Sequence, residues 1–302
     1  MRVSRVGTDV IRRVVTRPAP AAQSVSSLHW AGIAVVVAIA LALGSVVGLT
    51  ARHYLSQRAI LAPLPEVTVA HPQPLISAGL GEDPPTPSPI TPTTLPDHVL
   101  LQVPYTTQAP LGNWAQHQES CEEATLTMLS AYWEQDSAVV IDPHVADASI
   151  AALVRWQIQN WRSEVDLNNH RMGELAKGYF GYGYKIVPND PQVIREQLAA
   201  GRPLIAAVRT HGLGNPNYPG YSSTYEQTGW SVPHFVLLIG YDGGGVWLND
   251  PGISQGRGYH ITFAQLAHAI DDLGQHHPAT YNEGQVLLVV APELNRKPHK
   301  AL

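Results

Sequence analysis

Ten prolines fall between residues 59 and 97, at positions 63, 65, 72, 74, 84, 85, 87, 89, 92 and 96, interleaved with threonine and small residues. A segment of this composition cannot bury a core. Where it takes polyproline II it advances about 3 Å per residue as a semi-rigid spacer. It therefore divides the chain, and any globular fold must be built from the residues beyond position 97. Ahead of it runs LHWAGIAVVVAIALALGSVVGLTA, Leu28 to Ala51, with no Asp, Glu, Lys or Arg. Roughly 20 residues cross a hydrocarbon core as a helix, so this run is long enough. A signal peptide has a shorter apolar region of about 7–15 residues and a small-x-small cleavage site, and no clear one precedes Arg52. Arg2, Arg5, Arg12, Arg13 and Arg17 stand before the run against the single acid Asp9, while Arg52 and Arg58 come after it. The positive-inside rule then keeps the N-terminus in the cytoplasm and sends the rest outside.

The expected organisation is a basic cytoplasmic tail (1–27), a transmembrane helix (28–51), a Pro-rich extracytoplasmic linker (52–97), a globular domain (98–295) and a C-terminal tail (296–302). The formal net charge is −5 and no basic patch lies beyond the N-terminus, which argues against nucleic acid as a partner. A single cysteine excludes an internal disulfide and a thiolate zinc cluster. The 14 histidines form no HExxH pattern, and His276-His277 before a proline reads as a solvated loop. No metal and no cofactor are expected.

That one cysteine, Cys121, stands in SCEEATLTMLSAYW. Ser120 with Glu123 three residues on reads as a capping box, which starts a helix at Cys121. Ala124, Met128, Leu129 and Tyr132 then form its apolar face. In the first turn, unpaired N–H groups and the macrodipole favour a thiolate. Glu122 and Glu123 oppose this, so an imidazolium is needed nearby. Outside the cytoplasm unpaired cysteines are uncommon, which favours a chemical role over a small buried hydrophobe or an intermolecular disulfide.

The rest of the domain reads in chain order. Val99–Tyr105 is a strand, and Ile150, Leu153, Val154, Ile158 and Trp161 mark a helix. Met172–Phe180 is another helix, ending in the turn chemistry of YFGYGYK before a strand at Tyr184–Val187. Asp190-Pro191 opens a helix closed by Gly201. Pro203–Val208 is a strand, and His211–Val232 is a long loop of the kind that covers a site. HFVLLIGYD and VWLND, joined by Asp242-Gly-Gly-Gly245, form a hairpin. Phe263–Ile270 is helical and Gln285–Ala291 is a strand. Helices first and antiparallel strands later point to an α+β domain with its site between the halves.

His234 opens the first hairpin strand and Asp250 closes the second, so the two can meet. A carboxylate on one imidazole nitrogen fixes its tautomer, and the other nitrogen faces Cys121. Asn249 can take the same orienting place, but only one of two successive residues faces His234. The anion of Asp250 stabilises an imidazolium better. Gln108, in the loop ahead of the helix, can join the Cys121 backbone N–H in holding an oxyanion.

VPYTTQAPLGNW, SCEEATLTMLSAYW, PHFVLLIGYD and WLNDPG resemble the signature blocks of the bacteriocin-processing-type, C39-like cysteine peptidases, over roughly residues 99–292. The resemblance implies a papain-like fold. It also implies roles for four residues: Gln108 at the oxyanion, Cys121 as nucleophile, His234 as general base and Asp250 as its orienting group. Many members carry glycine and proline after the cysteine, where Glu122 and Glu123 stand here. Cutting of double-glycine leaders belongs to transporter-fused members. No transporter or ATPase is read in these residues, so that substrate is not carried over.

The resulting expectation is a membrane-anchored, extracytoplasmic thiol peptidase acting on a peptide or protein. One rival is a cell-wall peptide amidase or transpeptidase of the same chemistry, and another is an inactive papain-like module that only binds peptides. Trp230, four residues before His234, is expected to shield the base. Trp114, Trp133, Trp156, Trp161 and Trp247 are expected in the core or along cleft walls. Asp142-Pro-His144 and the Tyr-rich stretch 218–225 read either as substrate contacts or as turns.

Overall fold

The computed structural model describes residues 94–162, 166–218 and 232–293, all within the compact unit Tyr54–Leu302. The basic tail, the apolar run, nearly all of the linker, Trp230 and most of the Tyr-rich stretch lie outside the described residues. Among the described residues no helix is long and apolar enough to cross a membrane.

The elements in chain order are β1 (Val99–Leu100), α1 (Trp114–His117), α2 (Cys121–Trp133), α3 (Pro143–Trp161), α4 (Asn169–Phe180), β2 (Gly183–Pro188), α5 (Pro191–Ala199), β3 (Leu204–Arg209), β4 (Pro233–Tyr241), β5 (Gly245–Asn249), β6 (Tyr259–Thr262), α6 (Phe263–His276) and β7 (Val286–Ala291), with a 3-10 turn at Thr210–Leu213. This is an α+β architecture. Its sheet is antiparallel, ordered β2-β7-β3-β4-β5-β6, with β1 added to β4. The strand closest to the C-terminus thus lies inside the sheet, between β2 and β3.

Local chemistry explains the helix ends. Asp142 accepts from the N–H groups of His144 and Val145 with Pro143 at the first helical position. Asp190 does the same for Gln192 and Val193 ahead of Pro191. Asp142-Pro-His144 is a helix start. Asn168 caps α4, and Gly181 ends it in the left-handed region at φ 63°, a conformation glycine adopts without penalty. Thr262 and Gln265 form a reciprocal capping box on α6.

Several expectations change. The capping box expected at Ser120 is absent: no side chain caps α2 there. Ser120 Oγ instead lies 3.2 Å from His117 Nδ1. The expected apolar face of α2 is buried, but so are Glu122, Glu123, Thr125, Leu126, Thr127 and Ser130. The helix is enclosed on nearly all sides, so periodicity understates its burial. Ile158 is exposed, as is Trp114, because the outer face of α3 and the short α1 meet solvent. His276 is the last residue of α6 rather than part of a loop, its Nδ1 against Asp272 Oδ1 at 2.9 Å, and its side chain is exposed.

The sheet carries the core. β3 is buried throughout, as is β4 after Pro233. β3 pairs with β4 from Leu204↔Leu238 to Arg209↔Pro233, whereas β5 joins the other edge only from Leu237↔Asn249 onward. β4 therefore overhangs β5 by its first four residues. The backbone edge left uncovered there receives α2.

Candidate active site

Phe235 lies in that overhang. Its carbonyl accepts from Thr125 Oγ1 at 3.4 Å, and its backbone N–H faces the Cys121 thiol and lowers its pKa. In an antiparallel strand the N–H and C=O of one residue point to the same side, so both backbone groups of this residue face α2. This docking brings the start of α2 to β4 one residue after His234, although 113 positions separate Cys121 from His234 in the chain.

His234 is buried, and its Nε2 stands 2.8 Å from Asp250 Oδ1, itself fully buried. Asp250 is held from several directions. Tyr218 Oη donates to both carboxylate oxygens at 2.8 and 2.9 Å, and the Gly252 N–H donates to Oδ1 at 2.9 Å. The backbone carbonyl of Asp250 accepts from Tyr105 Oη at 2.9 Å, and its N–H donates to Gly256 O at 2.9 Å. Donors surrounding a buried carboxylate compensate its desolvation. Asn249 turns elsewhere: its amide donates to Val103 O at 3.4 Å and accepts from the Gly258 N–H at 3.1 Å. Of the two candidates for orienting His234, Asp250 is the one in contact with it.

Gln108 is buried rather than solvated. Its Nε2 donates to the carbonyls of His117 and Gln118 at 3.0 and 2.9 Å, and its backbone N–H donates to Pro251 O at 2.9 Å. It thus ties the loop ahead of Cys121 to the turn after Asp250. Both amide hydrogens are committed to carbonyls in this arrangement. A further hydrogen-bonded row runs alongside, from Ser120 through His117 to Asp147, whose Oδ1 lies 3.0 Å from His117 Nε2 and 2.7 Å from Asn113 Nδ2.

Cys121 is buried, and its thiol donates to Glu122 Oε2 at 2.9 Å. Glu122 Oε1 accepts from the Leu167 N–H at 3.0 Å. Glu123, also buried, accepts from Gln157 Nε2. The helix start alone leads to the expectation of a favoured thiolate. The structure reverses this. Burial pushes the thiol well up, followed by the charge of Glu122 and the hydrogen bond to it, with Glu123 adding less; the Phe235 N–H works against them. A carboxylate in contact with the sulfur outweighs a fractional dipole charge.

Sequence reasoning missed Tyr218 as the partner of Asp250, Leu167 as the anchor of Glu122, and the inward turn of Glu122 itself. No local pattern marks them, because each depends on contacts between distant segments. Among the described residues no group of three or more His, Cys, Asp and Glu is arranged to hold a metal ion.

A model of the Peptidase_C39 like family matches residues 100–275. Two solved structures are similar in part. One is a crystal structure from Bacillus anthracis described as a C39-like peptidase, at 16% identity over 68% of this chain and 100% of that chain, with a TM-score of 0.41. The other is xylellain, a cysteine protease from Xylella fastidiosa, at 13% identity over 76% of this chain and 99% of that chain, with a TM-score of 0.35. No curated protein matches the chain.

Proposed function

The chain belongs to the Peptidase_C39 like family, and from that premise we propose that it hydrolyses peptide bonds through Cys121, His234 and Asp250, with Gln108 at the oxyanion. The observation that carries this reading is the buried His234–Asp250 contact of 2.8 Å, one residue from the Phe235 N–H that faces the Cys121 thiol. With Nε2 on Asp250, Nδ1 is the nitrogen left for the thiol.

In the proposed reaction the thiol proton passes to His234 Nδ1 and Sγ attacks the carbonyl carbon. The oxyanion then draws on the Cys121 backbone N–H, which has no intrahelical acceptor at that position. Gln108 joins it by turning one amide hydrogen away from the His117 or Gln118 carbonyl. The imidazolium protonates the leaving amine. Water, deprotonated by His234, then hydrolyses the thioester and restores the thiol. Asp250 stays ionised and stabilises the imidazolium; Tyr218 and the Gly252 N–H keep it in place. Placement at a membrane, with the basic tail cytoplasmic and the peptidase domain outside, is part of the proposal and rests on the charge-free run Leu28–Ala51.

The test is peptide-library hydrolysis by the full-length chain and its variants. Cys121→Ala is expected to abolish turnover. His234→Ala and Asp250→Asn are expected to lower kcat/KM by about 10²–10⁴-fold, and Gln108→Ala by about 10²-fold, mostly in kcat. Full turnover by Cys121→Ala would overturn the reading. Deleting residues 28–51 is expected to move the protein from the membrane fraction to the soluble one; retention at the membrane would overturn the anchor.

A further inference from the structure

Glu122 stands where the proposed reaction has no use for it. Its Oε2 takes the thiol hydrogen of Cys121 at 2.9 Å, while its Oε1 is pinned by the Leu167 N–H at 3.0 Å. Two anions at that separation, both buried, repel strongly. One proton placed between Sγ and Oε2 removes the repulsion, so the pair is built to hold at least one.

The groups facing this pair come from each element packed against it. From α2 there is Glu123, and from the segment after α3 there are Asp166 and the Leu167 N–H. From β4 there is the Phe235 N–H, with His234 the residue before it in the strand. From the segment after α6 there is Tyr281, with Glu283 beyond it, and His277 faces Asp166. Carboxylates outnumber cations here. Protonation of a carboxyl is thus the direct way to lower the negative charge beside the sulfur.

We propose that Glu122 is a proton-operated mask on the Cys121 nucleophile: ionised, it keeps the thiol as its hydrogen-bond donor, and protonated, it donates to the sulfur and releases the thiolate to His234. In the unmasking step one solvent proton binds Oε2, and the thiol proton moves to His234 Nδ1. The products are a neutral carboxyl, a thiolate and an imidazolium; no bond between heavy atoms forms or breaks. Oε1 keeps its Leu167 bond in both states, so the carboxyl turns donor without moving. Burial, the main cause, and the charge of Asp166 raise the Glu122 carboxyl above the usual range, with the thiol and backbone hydrogen bonds opposing. The mask therefore opens at a higher pH than an exposed glutamate would allow. The inference rests on the reading of Cys121 as nucleophile and His234 as base.

Cys121 is the only cysteine, so iodoacetamide alkylation of the full-length chain reports on it alone. The wild-type rate is expected to rise as the pH falls through the raised range of the Glu122 carboxyl. In Glu122→Gln the amide donates to sulfur at every pH. That variant should alkylate about tenfold or more faster than wild type at about pH 7, a shift of one pKa unit or more, and lose the acid-going rise. A Glu122→Gln rate equal to or below wild type overturns the mask, and if His234→Ala still slows alkylation, the Cys–His reading survives that failure. Alkylation of His234→Ala indistinguishable from wild type overturns the Cys–His reading and the mask with it. Should Glu122→Gln not fold, the wild-type protein decides. Its thiolate absorbance and the infrared carbonyl stretch of a protonated carboxyl must then grow together as the pH falls. A thiolate signal that grows only with rising pH overturns the mask.

Discussion

Gly252 shows how tightly the site is drawn at the scale of single residues. A methyl group there would lie 2.6 Å from Tyr218 Oη and 3.0 Å from both Cε1 and Nε2 of His234, while the Gly252 N–H already donates to Asp250. The position needs a backbone donor and no side chain. Gly252→Ala is expected to lower kcat/KM by about 10²-fold, the scale of a displaced catalytic group, while circular dichroism stays unchanged; an unaltered kcat/KM would show that His234 has room to shift. Tyr218 acts one step further out. Its hydroxyl reaches both oxygens of Asp250, and hydrogen bonds to a charged group contribute about 1.5–3 kcal/mol. Tyr218→Phe should therefore cost roughly tenfold or more in kcat at unchanged KM and shift the basic limb of the pH profile, where the imidazolium loses support. A change in KM alone would make Tyr218 a substrate contact instead.

At the scale of elements, the same local rule succeeds at one helix and fails at another. Thr262 and Gln265 make the reciprocal cap on α6, and Thr262→Ala should cost about 1 kcal/mol in denaturant unfolding. An unchanged midpoint would mean that packing against β3 alone holds that helix end. The equally plausible pair Ser120 and Glu123 makes no cap, because Glu123 turns inward to Gln157 and Ser120 to His117. Burial of the whole α2 helix, rather than its capping, places Cys121. What anchors it is the overhanging edge of β4, through Thr125 and Phe235. Thr125→Val keeps the volume but leaves the Phe235 carbonyl without that donor. The expected cost is about 1–3 kcal/mol of stability, the scale of an unsatisfied buried group, with slower alkylation of Cys121 as its docking loosens. Loss of neither would place the anchoring elsewhere in α2.

For the whole molecule, the enclosed acidic residues around α2 leave a mark on stability. Glu122 carries a carboxyl raised above its ordinary value, chiefly by burial, so the folded state holds that proton more tightly than the unfolded chain. Its contribution is fully present below the unfolded value of about 4.3 and is lost as the pH rises through the raised folded value. Asp147, lowered chiefly by its Asn113 hydrogen bond, runs the other way and loses its contribution as the pH falls. Unfolding free energy measured above the ordinary carboxylate range should thus decline with rising pH, and Glu122→Gln should flatten that decline. An identical slope in the variant would assign the effect to another group. The sequence alone determined the order and nature of most helices and strands, though not the short α1 and β6, together with the signature blocks and which residues could carry acyl-transfer chemistry. It did so because strand alternation, Asp-Pro helix starts and glycine ends are decided among residues a few positions apart. Only the tertiary structure decided that β7 lies between β2 and β3, that Asp250 rather than Asn249 meets His234, and that Glu122 rather than solvent meets the thiol. Leu167 lies 45 positions from Glu122 and Tyr218 lies 32 positions from Asp250. Contacts at that range exist only once burial strips water from these groups and leaves the nearest chain segment to satisfy them.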